Sequence, residues 1–433
     1  MNTQSPKRGR QFAAPRPGYW ARFIAERFHR ALDRIDTGLE SGAIEAMLPD
    51  GSFRVLGGRN PGPVAQVDLN KWAALVRLAR SGSAGWYRAW ENGEWASPDP
   101  VPLFDLFMRN RVSLGETGRP SGVSRLARRI AHKFNRNSRG GARKNIMAHY
   151  DLGNDFYRAW LDRTMSYSSA IFAEPINGEE GLETAQERKV CALGNRLKLK
   201  PGSTILEIGC GWGFFSRLFA AKGYRVTAIT ISPSQKLWAE QAMEGANGDV
   251  DYRLLDYRDV EGQFDAIASI EMVEAVGQRY WPDYLDAIDR CLRPGGRAAI
   301  QYIAIADDIF EGYAASVDFI QAYIFPGGML LSESRFRALA EARGLKWEDA
   351  HHFPLHYAET LRRWRMQFDD AVETGSLPSG FDQRFVSLWR YYLMYCEGGF
   401  RGGGVTVAQV TLVKEGKCLE EVDSGRSLAA YGD

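Results

Sequence analysis

The stretch Thr204 to Gly213, TILEIGCGWG, constrains the fold of this 433-residue chain more than any other. Its first half is apolar and β-branched (Ile205, Leu206, Ile208), as befits a strand buried on both faces of a parallel sheet. Glycine then takes every second position, at Gly209, Gly211 and Gly213. Without a Cβ, the backbone can turn sharply there and let a ligand approach closely. A helix is predicted from Phe214. In an open α/β sheet the ligand crevice lies beyond the carboxyl ends of the strands, so this turn marks the functional edge. Glu207, the one charged residue of the strand, stands just before it.

Downstream, strand patterns (RVTAITI, VDYRLL, FDAIASI, RAAIQYI) alternate with helical ones (SQKLWAEQAM, YWPDYLDAIDRCL). That alternation predicts βαβ units and an α/β fold with a doubly wound, mostly parallel sheet. The run VTVAQVTLVK, following Gly402 to Gly404, reads as an antiparallel strand closing the sheet at its edge. Residues 306–339, rich in aromatics, read as a helical lid over a pocket. Upstream, the expected order is a basic arm (1–18), a smaller α+β domain (19–116) and a basic linker (117–145), with the catalytic domain filling 146–433. Within the smaller domain GWYRAWENGEWASPD reads as ordinary core plus turn.

The charge is nearly balanced at +2, so attraction to anionic partners has to come from local clusters. Five scattered cysteines without Cys-x-x-Cys spacing argue against a zinc site and fit a reducing cytoplasm. The N-terminus carries no apolar signal core, and no run of about eighteen apolar residues occurs. Between Thr117 and Tyr150 lie nine basic residues, Arg119 to Lys144, and no acidic one. Leu126, Ile130 and Phe134 could stripe a short helix there. The block reads equally as an anionic-membrane anchor or as a solvated linker.

The spacing G-x-G-x-G lacks the third glycine position of the dinucleotide fingerprint, and no G-K-[ST] follows. With an acidic residue ending the strand, it resembles the first motif of class I S-adenosylmethionine (SAM) methyltransferases. The resemblance sharpens along the chain: HYDLGNDFY (149–157), MSYSSAIF (165–172), LEIGCGWG (206–213), TISPSQ (230–235), LLDYRD (254–259), EMVEAVG (271–277) and FIQAYIFPGG (319–328). Together these blocks are similar to those of the cyclopropane-fatty-acyl-phospholipid synthase family, which includes the mycolic-acid methyltransferases. The resemblance implies that Tyr150, Tyr167 and Ser168 contact the methionine part of SAM, with Glu207, Gly209 and Gly211 at the turn. It implies Thr230 and Gln235 near the ribose and carboxylate, and Asp256, Tyr257 and Arg258 beside the adenine.

The family's reaction, attack of a cis alkene on the sulfonium methyl, leaves a carbocation on the acyl chain. Such a site needs aromatic faces, exclusion of water and a nearby base. In the family the base is a bicarbonate held by cysteine, glutamate, histidine, tyrosine and a backbone amide. The resemblance carries the glutamate to Glu274, the tyrosine to Tyr357 and the amide to Ile303. Ser169 stands at the cysteine position, Gln301 at the histidine position, and Ala275 where a histidine often follows the glutamate. Serine and glutamine still hydrogen-bond an oxyanion, so bicarbonate remains a candidate second cofactor. Without it, Glu274 is the expected proton acceptor, with Glu271 as its competitor.

The expected function is therefore SAM-dependent C-methylation of unsaturated acyl chains of membrane phospholipids, closing a cyclopropane ring, at the inner face of the membrane. Methylation without ring closure, giving a methyl-branched alkene or furan-fatty-acid precursor, is one alternative. A non-catalytic lipid- or nucleic-acid-binding protein is another, although nucleic acid is not an expected partner; a homodimer is left open. Neutralising the arginines from Arg125 to Arg139 is expected to weaken sedimentation with anionic vesicles by about 1 kcal/mol per charge removed, and more visibly at low salt.

Overall fold

The computed structural model describes residues 19–115 and 152–416. The basic block, the terminal arm and Tyr150 lie outside these described residues. A helix at Tyr19–Gly38 leads into strands β1 (Ala43–Met47), β2 (Phe53–Gly57) and β3 (Val64–Leu69). A kinked helix, Ala73–Glu91, follows, then β4 (Trp95–Ala96) and a helix at Val101–Arg109. The four strands form a sheet of order β2-β1-β3-β4. GWYRAWENGEWASPD is core, as its sequence implies: Trp86 and Trp95 stack with centroids 4.5 Å apart and are both buried.

The second sheet has seven strands: β5 (Thr204–Ile208), β6 (Arg225–Thr230), β7 (Val250–Leu254), β8 (Phe264–Ile270), β9 (Leu292–Ile305), β10 (Leu345–His352) and β11 (Val405–Lys414). Their order is β10-β11-β9-β8-β5-β6-β7. Strands β5 to β9 pair in parallel, and β11 runs antiparallel to β9 and to β10. VTVAQVTLVK is thus antiparallel as expected, but it sits one strand in from the edge. LKWEDAHH escapes sequence reading because an edge strand buries little: only Leu345 and Trp347 of β10 are buried. The central parallel strands β5 and β8 are buried along most of their length, the edge strand β7 is not, and helices such as Leu182–Arg196, Phe214–Ala221 and Trp281–Cys291 accompany the sheet.

Three helices follow β9, at Asp307–Ala314, Phe319–Tyr323 and Glu333–Glu341, where the lid was expected. Two longer ones, Pro354–Glu373 and Gln383–Arg401, join β10 to β11. The last of these packs on Val101–Arg109 through glycines. A Cβ on Gly398 would lie 2.4 Å from that of Phe104, and one on Gly402 would lie 2.5 Å from the carbonyl oxygen of Asp105. Backbone-close packing of this kind seats the first sheet and its helices against the second. Among the described residues no helix is long and apolar enough to cross a membrane. Gly398→Val is expected to lower unfolding stability by about 1–3 kcal/mol through overpacking, measurable by thermal or denaturant melts.

Candidate active site

At the carboxyl end of β5 the chain makes the turn the sequence implies. Gly209, Gly211 and Gly213 all take positive φ, and the amides of Gly209 and Cys210 both donate to the carbonyl of Ile229 at 3.0 Å. A Cβ built on Gly211 meets nothing within 4 Å, which leaves its face open to the cavity it lines. Glu207 beneath the turn is buried, and its Oε2 has no hydrogen-bond partner among the described residues. Burial pushes its carboxyl up to about 8 despite the opposing Ser216, Arg217 and Lys189. An orphaned buried oxygen beside a glycine cradle fits a ligand with N–H donors, as the amino acid end of SAM has.

The cavity beside this turn has a volume of about 590 Å³. Tyr167, Ser168, Glu207, Gly209, Gly211, Thr230, Gln235, Asp256, Tyr257 and Arg258 all line it, so the structure gathers every described residue expected to hold SAM. Ser232 caps the helix Pro233–Gln241, and Thr230 donates to Gln235 at 3.0 Å, which fixes both side chains. Arg258 grips both oxygens of Asp256, at 2.8 and 2.6 Å, and its guanidinium sits 5.4 Å from the Tyr257 ring centre. Tyr167 shares a 2.8 Å hydrogen bond with the hydroxyl of Tyr392.

From the turn the cavity runs on between apolar and aromatic walls that come from both sheets' helices. Phe325, Tyr392 and Phe400 line it, and so do Trp86, Phe104 and Met108 from the first sheet's helices. Trp86, read from sequence as core alone, is therefore core and cavity wall at once.

The base region departs from expectation. Ile303, on β9, donates its amide to Glu274 Oε1, whereas the resemblance gives both groups to a bicarbonate. The other expected anion ligands converge instead on Glu271. Its Oε1 accepts from the Ser169 amide at 2.8 Å and from Gln301 Nε2 at 2.8 Å, and its Oε2 accepts from the Tyr357 hydroxyl at 2.7 Å. Ser169 and Gln301 are fully buried and do not line the cavity, whereas Glu271, Glu274, Tyr357 and Ile303 do. The Ser169 hydroxyl is turned away, donating to the Ala170 carbonyl at 3.0 Å. The residues present do not fit a free bicarbonate, because the Glu271 carboxylate already holds the donors that bicarbonate would use.

Local geometry explains this. Glu271 follows the last residue of β8, beside Gln301 of β9, and takes φ +47°, in the left-handed region. That turn swings its side chain across to the neighbouring strand, and its amide bonds the Gln301 carbonyl at 2.8 Å. Desolvation raises the carboxyls of both glutamates. Tyr357, Gln301 and the Ser169 amide oppose the shift at Glu271. Glu274 has no such set of donors; desolvation and the neighbouring Glu271 push it up to about 8, and its Oε2 is sealed and unpartnered. The two environments drive the carboxyls apart: three donors favour the charged form of Glu271, whereas burial and the neighbouring Glu271 favour the protonated form of Glu274.

Sequence reading missed Lys189. It is 1% exposed, and its Nζ donates to the Ser168 hydroxyl at 2.7 Å. Burial pulls its ammonium down to about 8, while Glu271, Asp162 and Glu207 oppose that. The available signal was a lysine within the apolar stripe Leu182, Ala185, Val190 and Leu193 of its helix.

The sequence profile of the family described as mycolic acid cyclopropane synthetase matches residues 137–410. The chain belongs to that family. It is 39% identical over 355 residues to the tuberculostearic acid methyltransferase of Mycobacterium tuberculosis, covering 79% of this chain and 82% of that protein. To the cyclopropane-fatty-acyl-phospholipid synthase of Escherichia coli K12 it is 33% identical over 338 residues, covering 77% and 84%. Among solved structures, a mycolic acid cyclopropane synthase complexed with SAH and CTAB superposes with a TM-score of 0.58 at 29% identity, covering 63% of this chain and 98% of that one. This member of the family is a SAM-dependent methyltransferase.

The ammonium of Lys189 favours ionised Glu207 and Glu271. Removing it in Lys189→Met is expected to raise both carboxyls, moving the acid limb of the kcat/KM profile toward higher pH while the alkaline side stays in place. A pH–rate series on parent and variant checks this.

Proposed function

We propose that this chain methylates the double bond of an unsaturated fatty acyl chain in a membrane phospholipid and closes a cyclopropane ring, working at the cytoplasmic face of the membrane. The observation that carries this reading is the continuous cavity from the glycine turn to an aromatic and aliphatic wall, with carboxyl groups along it. SAM, when bound, would supply a sulfonium methyl for attack by an alkene's π electrons. The chain's own residues do the rest. Gly209 and Gly211 admit the donor, and the rings of Tyr167, Phe325, Tyr392 and Phe400 offer faces that stabilise positive charge on the hydrocarbon. The apolar walls exclude water, which would otherwise trap that charge as an alcohol. Glu271 and Glu274 are the groups at hand for moving a proton. The name of the Escherichia coli relative supports phospholipid as the acyl carrier.

A second reading, methylation without ring closure, has support of its own. Ser169, Gln301 and Ala275 differ from the residues the family resemblance expects around the base, and the Mycobacterium tuberculosis relative is named a methyltransferase, not a cyclopropane synthase. Purified protein given SAM and vesicles of cis-monounsaturated phosphatidylglycerol is expected to release S-adenosylhomocysteine and yield acyl chains heavier by one CH2. Mass spectrometry after mild hydrogenation separates the readings, since an alkene takes up two hydrogens and a ring does not. Vesicle lipids of unchanged mass would sink both.

A further inference from the structure

We propose that Glu271 is itself the anion of this site: its carboxylate fills the cradle and receives the proton that the methylated acyl chain loses, so no free bicarbonate is needed. The inference rests on the reaction proposed above.

The donors carry the argument. An anion in the cradle would need the Ser169 amide, Gln301 Nε2 and the Tyr357 hydroxyl, and all of them already serve Glu271 at 2.7–2.8 Å. Ser169 and Gln301 are wholly buried and meet the cavity only through that carboxylate. Gln301 is held in this orientation from behind, because Gln409 Nε2 donates to its Oε1 at 3.0 Å and thereby leaves its Nε2 for Glu271. Lys189 adds a buried positive charge to the same surroundings. The backbone strain of a non-glycine residue at φ +47° persists where the surrounding contacts hold it, as these do.

The chemistry fits a weak base. A C–H bond next to a carbocation is strongly acidic, so position and dryness matter more than basicity. Glu271 Oε1 is saturated by two donors, but among the described residues Oε2 accepts from Tyr357 alone and keeps a lone pair. When the C–H bond breaks, its electron pair closes the ring or forms a new double bond, and the proton goes to Glu271 Oε2. Glu274 lines the cavity too but is the poorer acceptor, because only the Ile303 amide and its own backbone hold its carboxyl while burial and the neighbouring Glu271 drive it toward the protonated form.

Left-handed backbone at position 271 suits glycine, so Glu271→Gly is expected to fold and to empty the cradle without disturbing its donors. The test compares the full-length parent, Glu271→Gly and Glu271→Gln with SAM and cis-monounsaturated phosphatidylglycerol vesicles, in CO2-purged buffer with and without added bicarbonate or formate. The parent is expected to turn over equally in both buffers. Glu271→Gly is expected to lose about a hundredfold or more in purged buffer and to recover saturably with the added anion. Glu271→Gln, whose amide keeps the cradle full, is expected to stay slow in both. The proposal is overturned by a parent that needs bicarbonate, by Glu271→Gly at parental rate in purged buffer, or by Glu271→Gly that binds SAM normally yet is not restored by either anion. A parent that releases no S-adenosylhomocysteine with unsaturated lipid overturns the reaction itself, and the base with it.

Discussion

Carboxyl groups sealed into an apolar cavity are expensive, and much of the interior of this protein is arranged around Glu207, Glu271 and Glu274. An isolated carboxylate in such surroundings either finds hydrogen-bond donors and a counter-charge or takes up a proton. All these responses are present. Glu271 is held by Ser169, Gln301 and Tyr357, Lys189 stands nearby as a buried cation, and Glu274, with only the Ile303 amide and its own backbone as donors among the described residues, is driven toward the protonated form. The same dryness that makes the charges costly is what a cationic hydrocarbon requires, so the electrostatic burden and the chemistry have one cause.

The sheet supplies the rigidity this needs. Glu207 is the penultimate residue of β5, Glu271 follows β8, and Gln301 and Ile303 lie on β9, so Glu207, Glu271 and several of their partners sit on or at the ends of adjacent hydrogen-bonded strands. Tyr357 arrives from the helix Pro354–Glu373 and Lys189 from Leu182–Arg196. The far wall comes from the first sheet's helices, seated by the glycine contacts at Gly398 and Gly402. Donor site, acyl wall and base therefore depend on packing between elements far apart in the chain.

Much of this was legible in the sequence. The central parallel strands β5 and β8 announce themselves because burial on both faces demands apolar runs, and the glycine turn because a close-approaching ligand tolerates little else. The described residues assigned to SAM do line one cavity, since motifs that end parallel strands are brought together by the sheet itself. What escaped were features with weak local patterns. Strand β10 is mostly solvated, and Lys189 hides in a helix whose amphipathic pattern is otherwise ordinary.

By itself the sequence determined the α/β class and the cofactor turn, because these follow from periodicity and from residue types at strand ends, while its resemblance to a family pointed to the polar residues around the base. Which carboxylate those residues hold was decided only by the tertiary structure. Glu271 and Glu274 stand three positions apart in one apolar segment, and nothing local separates their roles. The left-handed turn at Glu271, the pairing of β8 with β9 and the approach of Tyr357 from a distant helix bring three donors to one carboxylate, while its neighbour keeps a bare, buried oxygen.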